Sequence, residues 1–134
     1  MTDSETAGPQ PDASLLVVED DHAMQQLLRL TFERSGFRVK TASDGMEGLE
    51  LLASFQADAV VTDLSMPRLD GCRMIRTIRA RAAAGIGPPV LVITGLPSGD
   101  PLVQCAQGEA RVSVIYKPPT FKELPLMVRG LLAA

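Results

Sequence analysis

The run Val90-Leu91-Val92-Ile93-Thr94 constrains this chain most. Its first four residues are apolar and mostly β-branched, and Pro88-Pro89 bars a helix on the amino side. So short a run without polar alternation is a strand buried on both faces, which requires covering layers on either side of its sheet. Comparable runs occupy residues 15–18, 59–61 and 112–116.

Between these runs the period changes to that of helices. Met24, Leu27, Leu28, Thr31 and Phe32 recur at helical spacing as far as Gly36, a C′ stop, with Asp21 as N-cap. Phe37, Val39 and Thr41 alternate with Arg38 and Lys40, which predicts an edge strand with one wet side. Asp44 and Glu47 have capping-box spacing and open a helix through about residue 55. A third helix is expected from near Gly71, carrying Ile75, Ile78 and Ala82 inward and ending by Gly85. Gly95, Pro97, Gly99 and Pro101 leave room for only a short helix at about 102–107, stopped by Gly108. Such a segment is expected to pack weakly and to respond to a signal by ordering. Thr120 and Glu123 have capping-box spacing for a last helix, in which Pro125 forces a later start or a kink.

Five strands alternating with five helices give an α/β domain with a parallel sheet and helices on both faces. The 134 residues suffice for one such domain. Residues 1–13 are polar and acidic with Pro9 and Pro11, and read as a disordered tail ahead of a domain over 14–134. With aromatics at 4%, the core must be built from Leu, Val, Ile, Met and Ala. A net charge of −3 argues against nucleic-acid binding, and no apolar run approaches membrane-spanning length. Cys72 and Cys105 have neither metal-ligand spacing nor a disulfide framework, so they are expected to be buried, inert thiols in a reducing cytoplasm.

Four strands end in polar residues: Glu19 and Asp20, then Asp63, then Thr94, then Lys117. In open doubly wound sheets the binding crevice lies at those carboxyl ends, so these side chains can converge. Two or three clustered carboxylates call for a cation, and hard oxygen ligands suit Mg²⁺ or Mn²⁺. A carboxylate, a metal, a hydroxyl and an ammonium in one pocket fit phosphoryl transfer, with Asp63 as nucleophile and Lys117 and Thr94 holding phosphoryl oxygens. Asp21 reads better as a helix cap than as a ligand, and His22 as a solvated first-turn residue.

The stretches Leu15-Leu16-Val17-Val18-Glu19-Asp20-Asp21, Asp63-Leu64-Ser65-Met66-Pro67 with Asp70-Gly71, Val92-Ile93-Thr94-Gly95 and Tyr116-Lys117-Pro118 resemble the receiver domain of two-component response regulators. They fall in family order, and the likeness is to chemotaxis-type, single-domain regulators. The resemblance implies a flavodoxin-like doubly wound sheet of strand order 2-1-3-4-5. It implies Asp63 as phosphoacceptor, Thr94 as switch hydroxyl and Lys117 as the phosphoryl-contacting lysine. It implies a metal site of Glu19, Asp20, Asp63 and the Ser65 backbone carbonyl, and a cis Lys117-Pro118 bond. The implied partner is a histidine kinase or histidine phosphotransfer protein, and the chain would be a stand-alone signalling protein rather than an enzyme. Val114 stands where relatives often carry an aromatic, and Pro119 replaces the usual aromatic after Lys-Pro. These departures bear on signal output.

A second reading is a receiver-fold interaction module whose phosphorylation is vestigial. A haloacid-dehalogenase-type enzyme would need an Asp where Ser65 stands. A P-loop GTPase is excluded by the missing G-x-x-x-x-G-K-[ST], and the acidic loop after the first strand disfavours a flavin phosphate.

Overall fold

The computed structural model describes residues 13–83 and 86–134. Five strands, β1 (Ser14–Val18), β2 (Arg38–Ala42), β3 (Ala59–Thr62), β4 (Val90–Thr94) and β5 (Val112–Tyr116), form one parallel sheet. Its order is β2-β1-β3-β4-β5, as the resemblance implies. The helices are α1 (His22–Arg34), α2 (Gly45–Leu52), α3 (Gly71–Arg81), α4 (Pro101–Gln107) and α5 (Leu124–Ala133).

Period two sorts the central strands between two cores. Leu16, Val18, Val60, Val90 and Val92 face a core shared with α2, α3 and α4, and Leu15, Val17, Val61, Leu91 and Ile93 face one shared with α1 and α5. Every residue of β3 and β4 is buried, as the unbroken apolar runs require. β2 alternates exposed Arg38 and Lys40 with half-buried Val39 and Thr41, as expected of a sheet edge.

Most helix boundaries follow their caps. Asp21 Oδ1 accepts from the backbone N–H of Ala23 and Met24, and Gly36 takes φ 102° beyond the α1 C-cap. Asp44 Oδ1 accepts from Glu47 N–H at 2.9 Å, while Glu47 reaches past its capping-box partner to Ser43 N–H. α2 stops at Leu52, short of residue 55. α3 ends at Arg81, so Ala82 is a half-buried C-cap rather than a core residue; the expected stop at Gly85 lies outside the described residues. Apart from Ala13, the expected tail lies outside them as well. Ala13 belongs with the fold: its carbonyl accepts from Arg38 N–H at 2.9 Å.

Three expectations are corrected. Thr120 makes no capping bond, and a short 3₁₀ turn, Phe121–Glu123, precedes α5. α5 therefore starts later, with Pro125 in its first turn, where a missing N–H costs nothing. The breakers around α4 stand at its entrance, not inside it. Asp100 caps Leu102 N–H, Pro101 begins the helix, and Val103 and Ala106 are fully buried, so this segment is packed rather than loose. Finally, Cys72 on α3 and Cys105 on α4 are joined in a disulfide, with Cα atoms 6.2 Å apart. Helix packing brings them together across 33 residues of sequence, a separation that carries no local signal.

Candidate functional site

The parallel registers carry the strand-end residues to one corner. Val18 pairs with Thr62, so Glu19 and Asp63 leave adjacent strands side by side. Thr94 pairs with Tyr116, and Lys117 N–H donates to the Thr94 carbonyl at 2.8 Å, which sets Lys117 one step beyond β5.

Glu19, Asp20 and Asp63 each offer a carboxylate oxygen, and these oxygens lie within 4.8 Å of one another. Glu19 and Asp63 are buried and Asp20 is exposed. Lys117 Nζ spans the two buried acids, donating to Asp63 Oδ2 at 2.9 Å and to Glu19 Oε1 at 3.2 Å. Asp63 Oδ1 accepts from Leu64 N–H at 2.6 Å, and Glu19 Oε2 accepts from Asp21 N–H at 3.0 Å. Asp21 itself caps α1, so the cluster takes the Glu19–Asp20 register. His22 is exposed at the head of α1, as expected.

Burial pushes the Glu19 carboxyl above the ordinary range. The N–H of Asp21 opposes this, the charge of Asp63 adds to it, and Lys117 opposes it. Burial works against the Lys117 ammonium, but the hydrogen bond and charge of Asp63, with Glu19 behind them, outweigh it and hold its pKa above the usual lysine value. One ammonium thus serves two buried acids while a third acid stands beside them. A donor set of crowded carboxylate oxygens, open to water on the Asp20 side, is compatible with a hard divalent cation. Ser65 is exposed on the loop just past Asp63.

Thr94 is fully buried, and its Oγ1 accepts from Leu96 N–H at 3.0 Å, so the hydroxyl is engaged with the loop leading into α4. The Lys117–Pro118 bond is cis. Val114 pairs with Val92 and is half-buried on the edge strand β5, and Tyr116 is exposed at the strand end.

Two supports were not foreseen. Gln25 is buried on α1, and its Nε2 donates to the Glu19 carbonyl at 2.9 Å and the Ala42 carbonyl at 3.0 Å, tying the ends of β1 and β2. It shares the inward face with Leu28 and Phe32, and a polar residue on an apolar stripe is the signal that marks it. Gly71 is the other. Its N–H donates to the Leu64 carbonyl at 2.8 Å, and a Cβ there would meet the Asp63 carbonyl oxygen at 2.2 Å. Only glycine lets α3 close on the Asp63 loop. A cavity of about 620 Å³ opens at the opposite end of the strands beside Phe55, Ile78 and Pro89 and takes no part in this corner.

Comparison with known proteins agrees with this geometry. The family profile described as "Response regulator receiver domain" matches residues 15–129. Response regulator MprA of Mycolicibacterium vanbaalenii is 39% identical over 118 residues, which are 88% of this chain and 49% of that protein. Its counterpart in Mycobacterium ulcerans is 38% identical, with the same shares covered. The chain spans about half the length of these curated relatives. Among solved structures, the receiver domain of Francisella response regulator 1452 superposes with a TM-score of 0.77 at 28% identity, covering 91% of this chain and 98% of that one. The receiver domain of a signal transduction histidine kinase from Syntrophus aciditrophicus gives 0.79 at 26%, covering 90% of each. This chain belongs to the response regulator receiver domains of two-component systems.

Proposed function

We propose that this chain takes a phosphoryl group from a histidine kinase or histidine phosphotransfer protein onto Asp63, with Mg²⁺ or Mn²⁺, and switches its output surface in response. The observation that carries the reading is the Asp63 carboxylate set between Lys117 Nζ at 2.9 Å and the acids Glu19 and Asp20. Glu19, Asp20, Asp63 and the Ser65 backbone carbonyl would hold the ion, with Glu19 acting mostly through water. When bound, it neutralises the crowded carboxylates and the phosphoryl oxygens.

An Asp63 oxygen attacks phosphorus, the P–N bond of the phosphohistidine breaks, and the imidazole leaves as an acyl phosphate P–O bond forms. Lys117 then exchanges part of its bond to Asp63 for a phosphoryl oxygen, which keeps the buried charge compensated. Thr94 holds another oxygen through its hydroxyl. Turning that hydroxyl toward the phosphoryl group draws on its bond from Leu96 N–H and so pulls on the loop into α4. Water later cleaves the acyl phosphate, restoring the carboxylate and releasing phosphate. The chain thus catalyses its own phosphorylation and dephosphorylation and acts as a signalling protein, not as an enzyme on a separate substrate.

A downstream protein reads the switched surface. The net charge of −3 favours a protein over a nucleic acid as that partner. Among the described residues no helix is long and apolar enough to cross a membrane. A cytoplasmic setting, where kinases act on their receivers, is the proposed location.

A small-molecule phosphodonor with Mg²⁺ should add one phosphoryl group to the wild type and none to Asp63→Asn, read by intact mass. The same gain in the mutant would refute the assignment. No gain in the wild type would leave the interaction-module reading.

A further inference from the structure

The disulfide joins the two elements that flank the site. Cys72 is the second residue of α3 and is buried, one position after Gly71, whose backbone lies against the Asp63 carbonyl. Cys105 lies on α4 and is partly exposed. The loop into α4 begins at Thr94, whose hydroxyl accepts from Leu96 N–H. The bond therefore links the floor of the Asp63 loop to the helix that follows Thr94.

The disulfide is the covalent tie on α4, a short helix otherwise held by its cap and a few packed side chains. It has seven residues, too few to be stable without tertiary packing, and its fully buried side chains are Val103 and Ala106. A covalent tie to α3 removes most of the freedom such a helix has to shift. Once reduced, a free cysteine packs as a small apolar side chain, and the position of Cys72 is already buried.

We infer that Cys72 and Cys105 form a reversible thiol–disulfide modification site, which locks α4 when oxidised and frees it to answer Asp63 when reduced. The inference rests on the reading of Asp63 as phosphoacceptor. The chemistry is exchange with a low-molecular-weight thiol. Its thiolate attacks the partly exposed Cys105 Sγ, the S–S bond breaks, and Cys72 Sγ leaves with the electron pair and takes a proton. A second thiol attacks the mixed disulfide, releasing Cys105 as a thiol and the small molecule as a disulfide. Two small thiols are oxidised and one protein disulfide is reduced to two thiols; a small disulfide drives the reverse.

The test uses the full chain, equilibrated with glutathione disulfide or with dithiothreitol. Thiol alkylation and mass measurement should find no free thiol in the first sample and two in the second. Two free thiols in both would overturn the proposal. Each sample is then followed by hydrogen exchange over residues 95–108, with and without beryllofluoride and Mg²⁺. Beryllofluoride should change exchange there about tenfold in the reduced protein and little in the oxidised one. The Cys105→Ser variant should behave as reduced in either buffer. An equal response in both redox states, or an oxidised-like response in the variant, overturns the clamp. Phosphodonor labelling of Asp63 keeps the two readings apart. Labelling in both states with equal exchange sinks the clamp alone, and labelling in neither sinks the phosphoacceptor assignment and the clamp with it.

Discussion

Asp63 and Thr94 end adjacent strands, but what stands behind each differs. Behind Asp63, β3 is paired on both sides, Leu64 is fully buried, and the backbone of Gly71 closes against the loop. α3 adds eleven residues, an Asp70 cap and the buried trio Met74, Ile75 and Ile78. Behind Thr94 a loop leads to a seven-residue helix, and the neighbouring β5 is a half-exposed edge. The acid corner is held many times over by packing, and the α4 flank by fewer buried side chains, chiefly Val103 and Ala106 with half-buried Leu102, together with the Asp100 cap and one covalent bond. Marginal elements are where movement is cheapest, so the proposed function puts the chemistry on the rigid side and the response on the other.

Reducing the disulfide should have the largest effect, because it strips the weaker side of its strongest constraint. Closing a loop of 33 residues is worth about 3–4 kcal/mol in the chain-entropy treatment. Urea unfolding with and without dithiothreitol measures it. Residues 101–107 should lose hydrogen-exchange protection first, while β3 and α3 keep theirs. Equal midpoints in the two buffers would mean that packing alone secures α4, and the contrast between the two sides would fall.

The matching break on the rigid side is Gly71→Ala. The new Cβ would meet the Asp63 carbonyl oxygen at 2.2 Å and Leu64 Cα at 2.9 Å, both backbone positions that cannot swing aside. Overpacking of this kind costs about 2–3 kcal/mol and should move the Asp63 loop with it. The unfolding midpoint should drop and phosphodonor labelling of Asp63 should slow. A variant with normal stability and normal labelling would show that the acid corner tolerates displacement as the α4 flank does.

The same contrast governs what could be read from the sequence. The corner was legible because its parts are strand ends. Val60-Val61-Thr62 and Val90 through Ile93 announce buried strands, and parallel pairing then carries whatever follows them to one edge. Lys117 and Glu19 meet although 98 residues separate them, and the strands do all of that work. The α4 flank was not legible in the same way. Gly95, Pro97, Gly99 and Pro101 read as helix breakers, but two of the four, Gly99 and Pro101, frame the Asp100 cap, where a breaker starts a helix. The pairing of Cys72 with Cys105 depends on how α3 and α4 pack, which no spacing encodes. Thr120 has capping-box spacing and does not cap, since a 3₁₀ turn places α5 beyond its reach.

The smallest effect is expected at the outer rim of the acid corner, and it tests how far the rigid side extends. Arg68 lies on the loop between Asp63 and α3 at φ 67°, a left-handed conformation that a non-glycine residue adopts only under local constraint. Its guanidinium holds Asp44, the cap of α2, donating to Oδ2 at 2.9 Å and Oδ1 at 3.1 Å. That hydrogen bond first, and the Glu47 N–H second, hold the Asp44 carboxyl below its usual range. A carboxyl lowered in the folded state adds stability above its unfolded pKa of about 3.9, and that contribution is lost as pH falls through the folded value. Arg68→Ala should therefore change neutral stability little and flatten the loss of stability below about pH 4. The side chain is 57% exposed, so added salt should mimic the substitution in the wild type. Arg68→Gly removes the same pair but relaxes the backbone, so it should share the flattened acid slope and stand above Arg68→Ala at every pH. If Arg68→Ala keeps the wild-type acid slope, the cap bond from Glu47 alone sets the Asp44 carboxyl. In that case the pair with Asp44 does not tie the loop carrying Arg68 to the α2 cap, and the rigid side ends at Gly71.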